Sequence, residues 1–307
     1  MEEVYDFAVI GAGGTGFAAA MYAGRFQLKT IVIGETLGGT IILTDVVENY
    51  PGFKRLTGME LAEKIEEHAR DYPSVKVEND RVTEVRKEGE LFAITTLEGK
   101  TFKSKTILFA TGTEWKKMGV PGEKELANRG VHYCALCDGP IYKDKTLVVV
   151  GGGDSAAKEA LLLTQWARKV YMVYRGEKIR PEPVNADRVA KNPKLEVINN
   201  TNITQIKGEK KVEGVIFDKP FNGSTEFACD AVFVEIGHLP LSQLAVKLGV
   251  KINKKGEIEI NRNAETSVPG VFAAGDVVDT EFKQAITGVA EGVLAAYSAN
   301  EYIKARG

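Results

Sequence analysis

An α/β chain with two parallel, nucleotide-type sheets is predicted by three features of the sequence. One glycine pattern occurs twice, each copy sits between a short apolar run and a helix-forming run, and each is trailed by residues that alternate apolar and polar. The length of 307 residues suits about two domains of ~100–200 residues each. In the first copy, Phe7-Ala8-Val9-Ile10 leads into Gly11-Ala12-Gly13-Gly14-Thr15-Gly16 and then Phe17 to Ala23, which reads as buried strand, tight turn and helix. In the second, Thr146 to Val150 leads into Gly151-Gly152-Gly153-Asp154-Ser155-Ala156 and a helix over Ala157 to Ala167.

The remaining elements follow from local signals. Thr57-Gly58-Met59-Glu60 is a capping box, so a helix is expected from about Gly58 to Arg70, ahead of the Tyr72-Pro73 turn. Residues 75–109 alternate, with turns at Lys87–Glu90 and Glu98–Lys100, and predict a small antiparallel sheet. Residues 197–234 repeat that texture, with turns at Gly208 and Phe221–Ser224. A helix closes the pattern from about Lys283 to Lys304. The order is βαβ, meander, βαβ, meander, helix, with joints rich in glycine and proline at 112–122 and 236–241.

Composition narrows the function. With 44% hydrophobic, 27% charged and 8% aromatic residues, the chain is neither disordered nor a disulfide scaffold. Its 40 basic and 42 acidic residues give a net charge of −2, so no bulk attraction to nucleic acid or an anionic membrane is expected. The uncharged stretch Phe7–Gly24 reaches the lower length of a spanning helix, but glycines at 11, 13, 14 and 16 interrupt it, and no membrane span is expected. Three cysteines and a start without the charged-then-apolar layout of a secretory signal point to a reducing cytoplasm.

Glycines in the first pattern let backbone approach a pyrophosphate at a helix N-terminus, where unpaired N–H groups favour negative charge. Glu35, closing the next strand, is placed to accept from ribose hydroxyls, which completes a dinucleotide fingerprint. The second fingerprint, Gly151, Gly153 and Ala156, is not followed by an acid: after Val170–Val173 come Tyr174, Arg175, Lys178 and Arg180, which suit a ribose 2′-phosphate and hence NADPH. Between the two lies Cys134-Ala135-Leu136-Cys137-Asp138-Gly139. Two cysteines at this spacing close a disulfide or bind metal, and a structural zinc site needs four ligands that Cys229, His68, His132 and His238 do not supply in paired form, so thiol–disulfide exchange is the preferred reading and no metal is expected. Asp138 is placed to move the proton; its plain alternative is a turn-forming Asp-Gly before Pro140. Cys229 reads as core, His238 as a joint residue, His68 as surface. Val271 to Asp276 is a short strand ending in Gly-Asp, an acid placed to hold a second sugar or ribityl chain.

Taken together, these motifs resemble the low-molecular-weight thioredoxin reductases, within the flavoprotein disulfide reductases that carry two dinucleotide folds. The resemblance spans nearly the whole chain through Gly11–Gly16 with Glu35, Gly38-Gly39, Glu48-Asn49-Tyr50-Pro51-Gly52, Ala110-Thr111-Gly112, the Cys134–Gly139 segment, Gly151–Ala156, Gly275-Asp276 and Lys283-Gln284-Ala285-Ile286-Thr287. It implies two Rossmann-like dinucleotide-binding domains, each a parallel sheet with an antiparallel meander, the second inserted in the first. Residues 1–113 and 241–307 would form the FAD domain and 114–240 the NAD(P) domain bearing the dithiol. It further implies a homodimer, a domain rotation about the two joints, and a thioredoxin or glutaredoxin-like partner.

Carried over residue by residue, the resemblance gives FAD contacts at Gly11, Gly13, Thr15, Gly16, Glu35, Gly38, Gly39, Thr40, Asn49, Val82, Ala110, Gly112, Gly275, Asp276, Gln284 and Ala285. It gives nicotinamide-nucleotide contacts at Gly151, Gly153, Asp154, Ser155, Ala156, Glu159, Arg175 and Arg180. Cys137 would face the flavin, Cys134 would attack the partner, and Asp138 would give and take the proton. Three positions depart from the family pattern. Tyr174-Arg175-Gly176 with Arg180 is one arginine short, a loss worth ~1.5–3 kcal/mol that opens NADH as donor. Thr40 replaces a glutamine, and Gly14-Thr15 replaces proline-alanine. A reduced-ferredoxin donor and a flavin-bearing redox sensor are the alternative readings.

Overall fold

In the computed structural model, which describes residues 3–306, contacts divide the chain into two units: residues up to Glu114 together with those from Leu239 onward, and Trp115–His238. The two crossing segments, Thr113–Trp115 and His238–Pro240, pair as a two-stranded sheet.

The first unit is built on a seven-stranded sheet. Parallel strands run in the order Val75–Glu78, Thr30–Ile33, Val4–Ile10, Thr101–Phe109, and the antiparallel pair Leu91–Thr96 and Val82–Glu88 continues it. Thr101–Phe109 has two partners along one edge: its first residues pair with Leu91–Thr96, and Ile107–Phe109 pair in parallel with Val271–Ala273. Both faces are covered, which is why the strands read as unbroken apolar runs. Ala8, Ile10, Ile31, Ile33, Ile107 and Phe109 pack toward the meander, while Phe7, Val9, Val32 and Leu108 pack under helices Gly14–Arg25 and Ala285–Lys304.

The second unit repeats the plan. Its parallel sheet runs Leu195–Ile198, Lys169–Val173, Thr146–Val150, Ala231–Val234, Val131–His132. Leu147, Val149 and Met172 face helix Asp154–Leu163, and Val148, Val150 and Val173 face a separate three-stranded meander of Ile203–Lys207, Gly214–Phe221 and Ser224–Ala228.

The capping box forms as read: Thr57 Oγ1 accepts from Glu60 N–H at 3.1 Å, the Glu60 carboxylate accepts from Thr57 N–H at 2.7 Å, and helix Gly58–Arg70 follows. Three details differ from the sequence expectation. Val75–Glu78 joins the parallel sheet beside Thr30–Ile33 instead of the meander, because its register is set by a strand distant in sequence. The second fingerprint helix starts at Asp154 and ends at Leu163, before Ala157–Ala167 would have it. The final helix starts at Ala285, with Gln284 as its extended N-cap. Among the described residues no helix is long and apolar enough to cross a membrane, and no cluster of three or more His, Cys, Asp or Glu is arranged to hold a metal.

Candidate functional site

In each unit the parallel strands are in register at their carboxyl ends, and the chemistry-bearing residues come immediately after. Ile10 pairs with Ile33 and with Phe109, and Phe109 with Ala273. Just beyond these strand ends lie Gly11, Glu35, Ala110 and Asp276, the crevice where open α/β sheets take ligands.

Gly11 has φ +115°, and a Cβ there would fall 2.1 Å from the Ala110 carbonyl oxygen, so only glycine fits. Its N–H donates to Ile33 O at 2.8 Å, and Ala110 N–H to Ile10 O at 2.8 Å, which closes the loop onto the strand ends. Gly13 caps helix Gly14–Arg25 and bridges to Gly38, whose N–H donates to Ala12 O at 2.8 Å. A Cβ on Gly16 would lie 2.0 Å from Gly11 O, so the helix is drawn tight against its own loop. Gly39 packs on Gly13, and Thr40 is exposed on the turn that follows.

Thr15 is where the C-terminal helix meets the fingerprint helix. Added Cβ atoms on Gly275 and Gly288 would fall 2.8 and 2.6 Å from Thr15 Oγ1, and one on Gly292 would fall 2.4 Å from Thr15 O. Gly288 and Gly292 escape a reading of fingerprints, although their one-turn spacing marks a close helix approach. The exposed Asp276 sits in a pinned loop. Glu291 accepts from Gly275 N–H at 2.8 Å and from the Thr280 hydroxyl, while Lys283 donates to the carbonyls of Asp276 and Val278 and pairs with Glu257 at 3.1 Å. Gln284 Oε1 accepts from Asn49 Nδ2 at 2.8 Å, so two predicted residues far apart in sequence meet, with Ala285 next in line. Gly112 O accepts from Leu241 N–H at 3.0 Å. Val82 stands apart: its side chain is core and its backbone is paired with Thr96.

The second crevice follows Val150, Val173 and Val234, which pair in one row. Gly151 repeats Gly11, with a would-be Cβ 2.1 Å from Glu235 O, and Ala156 takes the place of Gly16 and is fully buried. Gly153 caps the helix with open space around it, and Ser155 is exposed in the first turn. Asp154 is committed to protein partners: it accepts from Glu182 N–H at 2.9 Å and Asn185 Nδ2 at 2.8 Å and pairs with Lys158 at 2.9 Å. Burial opposes its charge, but these contacts hold its carboxyl below the usual range. Arg175 and Arg180 are exposed on a cavity of about 860 Å³ lined also by Tyr174, Lys178 and Asn202. The Tyr174 ring covers Gly152, a contact the basic residues draw attention away from. Glu235 is the group that pattern reading missed most completely. Burial, then the neighbouring Glu159, pushes its carboxyl up to about 9, so it is protonated at neutral pH.

The dithiol lies in this second unit as a Cys134–Cys137 disulfide, with Cα atoms 5.4 Å apart. Cys134 opens the short helix Ala135–Asp138 and its sulfur accepts from Cys137 N–H at 3.1 Å. Glu159 reaches from the fingerprint helix to accept from Ala135 N–H. Cys134 is only 8% exposed, whereas Cys137 is exposed. Asp138 Oδ2 lies 3.0 Å from Nδ1 of the buried His132. Cys229 is buried in the core behind the meander, and burial pushes its thiol up to about 12, far from reactivity.

The comparisons agree with this geometry. The model of the family "Pyridine nucleotide-disulphide oxidoreductase" matches residues 5–292. A thioredoxin reductase of Bacillus subtilis is 41% identical over 306 residues, covering 99% of this chain and 96% of that protein. The crystal structure of Lactococcus lactis thioredoxin reductase (FR conformation) superposes with a TM-score of 0.94 at 34% identity, covering 98% of this chain and 99% of that one. The crystal structure of T. acidophilum thioredoxin reductase gives 0.92 at 34% identity over the full length of both. Two repeated crevices, a closed Cys-x-x-Cys pair and matches along nearly the whole chain establish that the protein belongs to the pyridine nucleotide-disulphide oxidoreductase family.

Proposed function

We propose that the chain is an FAD-dependent thioredoxin reductase, drawing electrons from NADPH and delivering them through the Cys134–Cys137 pair to the disulfide of thioredoxin or a glutaredoxin-like protein. The observation that carries this reading is the closed dithiol itself, held against the helix of the second dinucleotide fingerprint.

The first crevice suits FAD. Backbone at Gly11 and Gly16 is packed so that side chains are excluded, and with Gly13 as N-cap the N–H groups at the start of helix Gly14–Arg25 are left for a pyrophosphate. Exposed Glu35 would accept from ribose hydroxyls, Asp276 would hold the ribityl-phosphate region, and Gln284, Ala285 and Asn49 would border the ring. Held by these residues, FAD would supply two-electron chemistry between a nicotinamide nucleotide and a disulfide. In the second crevice Arg175, Lys178 and Arg180 supply positive charge for a 2′-phosphate, and Gly151, Gly153, Ser155 and Ala156 supply the loop.

The protein's own contribution to exchange is position and proton control. One thiolate attacks the partner's disulfide and the second thiol resolves the mixed disulfide, with Asp138 as proton donor and acceptor. The family assignment gives the attack to Cys134. Its sulfur is covered in the oxidised form, so it must be uncovered before a macromolecular disulfide can reach it.

The test is coupled turnover of the yellow holoenzyme with thioredoxin and either nucleotide at roughly millimolar concentration, far above an ordinary KM. Thioredoxin reduction with NADPH preferred is the expected result. Reduction with NADH alone overturns the donor assignment, and reduction only with reduced ferredoxin overturns it further. Nucleotide binding without turnover makes the chain a sensor.

A further inference from the structure

We propose that His132 is the positioning residue for the Asp138 carboxyl beside the dithiol, held in a single tautomer by the Tyr142 hydroxyl, an assignment that rests on the reductase reading above. His132 ends the two-residue edge strand that leads into Cys134, and it is 3% exposed. Its ring stacks on Phe233 at 5.3 Å between centroids and meets the edge of Tyr142 at 5.4 Å. Phenylalanine would fill that space equally well. What packing does not explain is the polar edge: Nε2 lies 2.7 Å from Tyr142 Oη, and Nδ1 lies 3.0 Å from Asp138 Oδ2, too far off line for a well-formed hydrogen bond and with no other partner.

The tautomer follows from the surroundings. Burial lowers the pKa of His132 against the opposing pull of Asp138, so the ring is neutral and carries one N–H. Burial, then Asp138 and Asp230, raises that of Tyr142, so its hydroxyl keeps a proton that it can donate to Nε2. An ionised Asp138 carboxylate can only accept, so the arrangement that serves both partners places the one ring N–H on Nδ1, facing Asp138. The other ionisable groups around the cluster are the two cysteines, Asp230 ahead of strand Ala231–Val234, Glu159 at Ala135 N–H, and the protonated Glu235. None of them offers Asp138 a donor in the described contacts. A small swing of the carboxyl aligns it with Nδ1–H and fixes which oxygen is left for the sulfurs.

The step being served balances as follows. An enzyme thiolate attacks one sulfur of the partner's disulfide, that S–S bond breaks, a mixed disulfide forms, and the departing sulfur takes the proton held by Asp138. The second enzyme thiol gives its proton to the emptied carboxylate and displaces the remaining partner sulfur as thiolate. The enzyme is left as the disulfide and the partner as the reduced pair.

The experiment compares wild-type holoenzyme with His132→Phe, His132→Asn and Tyr142→Phe. Two readouts are taken against pH: thioredoxin turnover, and alkylation of Cys137 by iodoacetamide in the dithiothreitol-reduced protein, which needs neither nucleotide nor partner. Loss of the N–H leaves the Asp138 carboxyl unfixed beside the sulfurs, so His132→Phe should cut turnover about tenfold and displace both pH curves by about one unit. His132→Asn, which keeps an N–H, should stay within about twofold of wild type, and Tyr142→Phe should fall between them. Coincident curves for wild type and His132→Phe overturn the proposal. If His132→Phe does not fold, unchanged curves in Tyr142→Phe overturn it. If the wild type reduces no thioredoxin, the reductase reading fails, while the alkylation curves still decide the role of His132.

Discussion

The two fingerprint crevices are the same device built twice, and they differ in the residues placed on it. Gly11 lies against the Ala110 carbonyl and Gly151 against that of Glu235, at the same 2.1 Å for an added Cβ. After those carbonyls come Thr111-Gly112 in one copy and Ile236-Gly237 in the other, both glycines at positive φ. The third fingerprint position is Gly16 in the first and Ala156 in the second, and the neighbouring strand is followed by Gly34-Glu35 in one and by Tyr174-Arg175 in the other. The loop geometry is therefore the shared part, set by backbone sterics, while ligand choice and local charge are added by residues that geometry does not constrain.

The sharpest way to break this equivalence is to exchange the third positions. Gly16→Ala drives a methyl into Gly11 O and should cost ~3 kcal/mol or more, with loss of retained flavin colour, whereas Ala156→Gly should cost only ~1 kcal/mol. Thermal melts and absorbance spectra measure both; equal losses would falsify the idea that the first loop is the tighter.

Next in size is Glu235→Gln, which takes from the second copy a titratable group that the first, with Ala110 in its place, lacks. A carboxyl raised from 4.5 to about 9 stabilises the fold only below its unfolded value and is a growing penalty as pH rises toward 9, on the order of 3 kcal/mol at pH 7 for this largely buried group. The variant should melt higher than wild type by a margin that widens from pH 5 to pH 9. A margin that is flat with pH would mean that Glu235 is not the titrating group.

A smaller effect is expected at the basic cavity. Arg175→Ala or Arg180→Ala should raise KM for NADPH roughly tenfold and leave KM for NADH unchanged, as one charge-assisted contact to a phosphate predicts. Equal changes for both nucleotides would take the 2′-phosphate away from this cavity. Smallest of all is Gly153→Ala: that position has open space and ordinary φ, so stability should change by less than ~1 kcal/mol, and a larger change in nucleotide KM would then report a ligand lying over it.

Much of this was legible in the sequence because its causes are local. A capping box, a strand–glycine–helix run and a Cys-x-x-Cys pair each carry their structural signal within a dozen residues or so. What escaped depended on partners distant in the chain. Val75–Glu78 looks like the opening of a meander until Thr30–Ile33 claims it, and two residues at Val131–His132 are too few to show any period. Asp154 resembles a ligand contact in the motif, yet Glu182 and Asn185 at the start of helix Pro183–Lys191 engage it. Glu235 and His132 were invisible as chemistry because their character comes from burial, which no spacing announces.

The strand Thr101–Phe109 has a slot on one edge that Val271–Ala273 fills. On a translating ribosome the whole of the second unit must emerge before that filler exists. By then every strand of the inserted unit's parallel sheet has been made, while the host's apolar edge stays open throughout that interval. Chaperone protection during synthesis should accordingly concentrate on the earlier-made half.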